Sequence, residues 1–399
     1  VTATPPAVQN TQLFTQRIQD ALTITRQKMR DFDTVFPDDT SSGQVYSPRA
    51  ERMVQTRTGP RMSLLGENVG WTTGFWTGQL WLAYELTGDQ AFADVAAGQL
   101  PSFERRLTER IDVDHHDVGF LYTLSAVAQT RLTGSGEARE VGLRAAEQLL
   151  TRYLPSAGIL QAWGELDDPE QRGRIIIDCL MNLPLLYWAS AQSGETRYAE
   201  AARRHAHNSL RTVIRHDSTT FHTFFFNAET GEPSHGRTSQ GSGDDSCWSR
   251  GQAWGIYGFA LSYMLTRDEA FLTAARQLAD YFLVNLPEDG VVYWDFAFRD
   301  GDGEEKDSSA AAIAVCGLHE LAKWLPEAEA RPYRDAAADI LTSLCQAYAA
   351  TPGGSSNALL LHGVYGKPGG DGVDEANLWG DYFYLEALVR HTRDWSLFW

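Results

Sequence analysis

The chain has 399 residues, 43% of them apolar and 22% charged, and a formal net charge of −18. That composition supports a large buried core, while the acidity excludes nucleic acid and anionic membranes as partners, since both demand basic patches. No stretch approaches the roughly 20 unbroken apolar residues of a membrane helix, so no membrane partner is expected.

Residues 1–10 show no charged region followed by an apolar run and read as a poorly ordered N-terminal extension without a visible signal peptide. Four widely spaced cysteines (Cys179, Cys247, Cys316 and Cys345) form no CxxC pair and are expected as reduced, mostly buried thiols. Both observations point to the cytoplasm, or to the periplasm or exterior if a leader has been removed.

Helical patterns follow in order at about 11–33, 74–87, 90–109, 118–133, 137–153, 178–193, 196–214, 249–266, 268–285, 308–324, 329–348 and 379–391. They alternate in character. The second member of each pair is apolar on most sides, as in WTGQLWLAYEL and LMNLPLLYWA, and reads as buried; the first carries one apolar stripe and many charges. Short polar links join them. Gly88, Gly134 and Gly194 suit left-handed C-caps, Asp89 or Thr196 can cap the following helix, and Pro326 opens another. Six buried and six amphipathic helices predict an all-α fold, an (α/α)6 barrel forming one catalytic domain over 1–399. Aromatic, partly alternating pieces at 158–166, 219–227 and 290–298 read as short strands or loops over one mouth.

The unusual residues cluster just before the buried helices: WTTGFW, DHHDVGF, RIIIDCLMN, CWSRGQAW, KDSSAAA and NLWGDYFY. In such a barrel these starts share one mouth, where helix N-termini favour an anionic ligand. Trp71, Trp76, Trp163, Trp248, Trp254 and Trp379 would collect there and offer aromatic faces to sugar rings. Asp178 follows Ile175–Ile177 and is expected to be desolvated, which raises a carboxyl pKa. Asp117, after His115 and His116, makes a second carboxylate at the same mouth, as in sugar hydrolysis, although a plain helix-cap Asp would look alike in both places. DVDHHD and DGDGEEKD do not match metal-binding spacings, and no phosphate or dinucleotide motif is present, so neither metal nor cofactor is expected.

With these pieces assembled, the chain resembles the unsaturated glucuronyl hydrolases of glycoside hydrolase family 88. The resemblance rests on WTTGFWTGQLWLAYELTGD, HHDVGFLYTLSA, GILQAWGE, RIIIDCLMNLPLLYWA, FHTFFFN, CWSRGQAWGIYGFAL, DGVVYWDF, DSSAAAIAVCGL and LWGDYFYLEALVR, in the family's order. It implies that Asp178 is the general acid and base, and that Asp117 holds sugar hydroxyls and tunes Asp178. Trp71, His116, Trp163, His222, Gln240, Trp248, Arg250 and Tyr365 would line the uronate pocket, with Arg250 facing the substrate carboxylate. The chain has Ser239 where many members have His, and its late loop HGVYGKPGG has Lys367 but not the serines that accompany sulphated substrates. The implied partner is an unsaturated oligosaccharide, and the implied enzyme a monomer or homodimer. An unsaturated rhamnogalacturonyl hydrolase, another (α/α)6 glycosidase or lyase, or a non-enzymatic sugar-binding barrel are the alternatives.

Overall fold

The structure, a computed structural model, describes residues 6–399. Residues 1–5 of the expected N-terminal extension lie outside the described residues, and Pro6–Asn10 belong to the first helix. The helices come as six outer–inner pairs. They are α1 (Pro6–Lys28) with α2 (Thr73–Thr87), then α3 (Gln90–Gly98) and α4 (Leu100–Glu109) with α5 (Val118–Tyr122) and α6 (Ala128–Thr133). Next come α7 (Gly136–Leu150) with α8 (Cys179–Asn182) and α9 (Pro184–Ser193), and α10 (Thr196–Thr212) with α11 (Ser249–Thr266). The last are α12 (Glu269–Val284) with α13 (Ser308–Lys323), and α14 (Glu327–Ser343) with α15 (Leu378–Thr392). Each inner helix packs on the next, and α15 returns to α2, closing the ring. This is the (α/α)6 barrel.

The links behave largely as their residue types require. Gly88, Gly134 and Gly194 end inner helices at φ values of 68°, 70° and 78°, a region that costs other residues energy. Asp89 caps α3 by accepting the Ala91 N–H, but Thr196 does not cap α10: it is the first helical residue, and Glu195 precedes it without a capping bond. The pattern at 137–153 also overran, because Tyr153 leaves the helix to pair with Leu160.

Short antiparallel strands lie over the mouth: β1 (Met53–Val54) with β2 (Arg61–Met62), and β3 (Tyr153–Leu154) with β4 (Ile159–Leu160). A three-stranded sheet joins β5 (Arg174–Ile176), β6 (Thr223–Phe226) and β7 (Pro233–Arg237), and β8 (Gly363–Gly366) pairs with β9 (Asp371–Glu375). The expected strand at 290–298 is reduced to isolated bridges, Trp248 to Asp295 and Tyr293 to Lys306.

At the opposite end, Trp399 enters the barrel and stacks on Phe383 with ring centroids 5.9 Å apart. Beside it Arg390 is buried between Glu320 and Glu386 at 2.9 Å from each. The barrel is therefore filled from below, and a cavity opens among the inner-helix N-termini. All four cysteines are free and buried. No helix of the structure is long and apolar enough to cross a membrane.

Candidate active site

A cavity of about 400 Å³ opens at the mouth, lined by Gly70 and Trp71 before α2, Asp117 before α5 and Asp178 before α8. Trp248, Arg250 and Trp254 enter from the start of α11, and Trp163, Ile176, Gln240 and Tyr365 from the loops and strands above. Trp379, at the start of α15, stacks behind Trp71 at 5.1 Å. Trp71 is held from above as well, because its Nε1–H donates to the Tyr365 hydroxyl at 3.0 Å. Trp76, expected at the mouth, is instead core: it is fully buried and donates to the Phe32 carbonyl.

Asp117 and Asp178 sit at helix starts, yet neither is a plain cap. Asp117 accepts the Trp163 indole N–H at 2.9 Å and the Asn182 amide at 3.2 Å. Asp178 Oδ1 has no hydrogen-bond partner. His116 Nε2 lies 3.3 Å from Asp117 and 3.4 Å from Asp178, so one imidazole sits between the two carboxyl groups without a hydrogen bond to either. Consecutive histidines diverge here. His115 stacks flat on Trp163 at 4.1 Å and accepts the Asp117 N–H, whereas His116 turns inward.

Burial sets the protonation states. It pushes Asp178 up to about 7, against the opposing Arg250 charge and backbone N–H groups. It also raises Asp117 well above the carboxylate range; the Asp178 charge adds to this, and the Trp163 and Asn182 donors oppose it. Burial lowers His116 far below its ordinary value, which keeps this imidazole neutral. Among the described residues these three form the one cluster able to offer a metal three donors, their atoms lying within 4.8 Å of one another.

The structure corrects several expectations. Arg250 lines the cavity but has no free fork: Nη1 bonds Asp307 at 2.8 Å and the Val364 carbonyl, and Nη2 bonds Gln240 and the Tyr365 carbonyl. Packed over Trp248, it contributes a fixed positive field rather than a clamp for a carboxylate. His222 does not reach the cavity surface; it lies behind Trp248 in an edge contact at 4.5 Å, accepts the Ser239 N–H at 3.0 Å, and is held near 3 by burial. His116 lies beneath the carboxyl pair rather than in the wall. Lys367 is tied to Glu304 and Glu305, so the late loop offers no free cation.

Sequence reasoning missed Asp39, Arg52 and Met53 on the open side, and met Asp112 only as the start of the DVDHHD run. Arg52 bonds Asp38 and Asp39 at 2.8 Å each. Although Asp39 is buried, Arg49 and Arg52 hold it to about 2. Asp39, Arg52 and Met53 lie in an irregular stretch without periodicity, and only its density of Arg and Asp signals them.

A family model described as Glycosyl Hydrolase Family 88 matches residues 47–385. The unsaturated chondroitin disaccharide hydrolase of Streptococcus pneumoniae is 49% identical over 84% of both chains. The crystal structure of unsaturated glucuronyl hydrolase from Streptococcus agalactiae superposes with a TM-score of 0.91 at 43% identity, covering 98% of this chain and 94% of that one. A solved Asp-to-Asn form of an unsaturated glucuronyl hydrolase with dGlcA-Glc-Rha-Glc matches at a TM-score of 0.88 and 43% identity, covering 94% and 96%.

Proposed function

This chain belongs to glycoside hydrolase family 88, and on that premise we propose that it removes a 4,5-unsaturated glucuronic acid from the non-reducing end of lyase-generated oligosaccharides. The observation that carries the reading is the buried carboxyl pair, with a neutral imidazole against it, at the floor of a tryptophan-walled cavity. The carboxyl oxygens lie within 4.8 Å, too close for the roughly 6.5–9.5 Å of an inverting glycosidase. What the pair offers is one available proton beside one hydrogen-bonded carboxylate. Trp163 and Asn182 hold Asp117 in place, while the Asp178 side chain is 14% exposed at the cavity floor, so Asp178 is the carboxyl placed to pass the proton of the pair to a substrate.

That proton suits a vinyl ether. The substrate's C5 bears the ring oxygen, so protonation at C4 leaves an oxocarbenium ion at C5. Asp178 delivers the proton to C4, and its carboxylate then draws a proton from the water that adds at C5. The resulting hemiketal opens to a 5-keto acid, and the hemiacetal left at C1 expels the aglycone. General acid–base help of this kind contributes roughly 10²–10⁴-fold. Trp71, Trp163 and Trp248 wall the sugar, and aromatic faces stabilise developing positive charge. Asp117, held by Trp163 and Asn182, positions the sugar, and burial keeps Asp178 protonated.

The test follows the ultraviolet absorbance of the conjugated C4=C5 acid with unsaturated disaccharides, using Asp178→Asn as control. Wild type should bleach the band and the variant should lose at least about 10²-fold in rate. Equal rates would refute Asp178 as the acid; a rise in absorbance on intact polysaccharide would identify a lyase.

A further inference from the structure

Outside the cavity, the exposed face of the β5–β6–β7 sheet carries an open groove of about 560 Å³. Cross-strand partners in an antiparallel sheet share a face. Arg174 pairs with Phe225, Ile176 with Thr223, and Thr223 with Arg237, so all five side chains point to the same side. Ile176 lines the catalytic cavity, while Arg174, Thr223, Phe225 and Arg237 line the groove. The join is continuous on the return strand too, where Ser239 belongs to the groove and Gln240 to the cavity. Arg174 lies two residues from Ile176, roughly 7 Å along the strand. A chain leaving the cavity along this sheet therefore crosses the groove with its next sugars.

The groove has the chemistry of an anionic-sugar site. Neither Arg174 nor Arg237 makes an ion pair among the described residues, in contrast to Arg52 and Arg250 in the cavity. Arg174 is partly buried, and its Nε has no hydrogen-bond partner at all. Guanidinium left half-desolvated and unpaired is costly unless a ligand completes it. Between the two arginines His235 stacks on Phe225 at 5.0 Å and 7°, giving a flat aromatic platform. Glu170 is the groove's single acidic lining residue. In a protein of net charge −18, the groove gathers two free guanidinium groups beside an aromatic plane.

We propose that this groove is a second sugar site, binding the carboxylate or sulphate of a residue beyond the scissile bond in substrates longer than a disaccharide. The proposal rests on the function argued above, and Arg174 and Arg237 act on binding of the longer chain rather than on the reacting atoms.

Initial rates by absorbance, for wild type, Arg237→Gln and Arg174→Gln, test it with four substrates: an unsaturated disaccharide, the unsaturated tetrasaccharides of hyaluronan and of chondroitin sulphate, and dGlcA-Glc-Rha-Glc, which is neutral beyond its first sugar. Arg237 is exposed and on an edge strand, so its variant keeps the fold. The expected result is a rise in KM of about ten-fold for an anionic tetrasaccharide, the scale of one charge-assisted hydrogen bond, with the disaccharide and the neutral tetrasaccharide changed less than two-fold. A loss with the hyaluronan chain assigns the uronate carboxylate, and a loss confined to the sulphated chain assigns the sulphate ester. Equal losses on all four substrates, or none on either anionic tetrasaccharide, would overturn the site. If wild type does not turn over the disaccharide, the functional reading fails instead, and calorimetric titration of the hyaluronan tetrasaccharide into wild type and Arg237→Gln decides the groove alone.

Discussion

Asp178 shows how a single position trades stability for chemistry. Its carboxyl titrates near 3.8 when the chain is unfolded and about 7 when folded, because burial disfavours the anion. The folded state thus holds a proton that the unfolded state releases between those values, and stability falls as pH rises through that window. Three units correspond to roughly 4 kcal/mol at most. Asparagine does not titrate, so Asp178→Asn should gain stability relative to wild type between pH 4 and 7, then run parallel above pH 7. Thermal melts across that range check this, and a difference independent of pH would show that the folded pKa is not raised. The same proton predicts activity. As the acid form is consumed, kcat/KM should fall about ten-fold per unit above pH 7. Bound uronate brings a second negative charge beside Asp178, so the descending limb of kcat should lie at higher pH than that of kcat/KM.

At the scale of elements, the catalytic pair is as well placed as the contact between α5 and α8. Asn182 fixes that contact: its Oδ1 accepts the Phe120 N–H at 2.6 Å, and its Nδ2 reaches Asp117 at 3.2 Å and the Asp178 carbonyl at 3.3 Å. Gly119 makes the approach possible, because a Cβ there would lie 2.4 Å from the Asn182 Cα. Gly119→Ala must push the two helices apart. We expect a loss of roughly 1–3 kcal/mol in stability and a fall in kcat well beyond that of an equally destabilising change in an outer helix. Matched melts and rates for Gly119→Ala and Ala145→Gly would show this, and equal effects on kcat would sink it.

The helices themselves were legible because each signal is local: apolar on most sides or one stripe, and a glycine or aspartate at the turn. The carboxylates were legible for the same reason, each following a distinctive run. What escaped depends on pairing across the chain. Arg250 meets Asp307 and Val364 from 57 and 114 residues away, which no local pattern announces. The turning of His116 toward Asp178 likewise needs two helix starts to meet.

For the whole molecule the question is how an acidic protein receives an acidic substrate. The cavity's own lining has Asp39, Asp112, Asp117 and Asp178 against Arg52 and Arg250. Asp307 neutralises Arg250, Asp38 and Asp39 occupy Arg52, and burial keeps Asp117 and Asp178 from both being charged. Local attraction is therefore left to what remains of the Arg250 field and to the inner-helix N-termini, whose field fades within a turn. Farther out, the net charge of −18 repels an incoming uronate over about a Debye length, some 10 Å at 0.1 M salt and 30 Å at 0.01 M. Screening should then help encounter. We expect kcat/KM for an unsaturated disaccharide to rise roughly two- to five-fold between 10 and 150 mM salt, with kcat unchanged. Longer anionic chains that reach Arg174 and Arg237 should gain less, because salt also weakens those two contacts. A kcat/KM for the disaccharide that falls steadily with salt would mean that positive charge at the mouth outweighs the charge of the whole, and would reverse this account of how the substrate arrives.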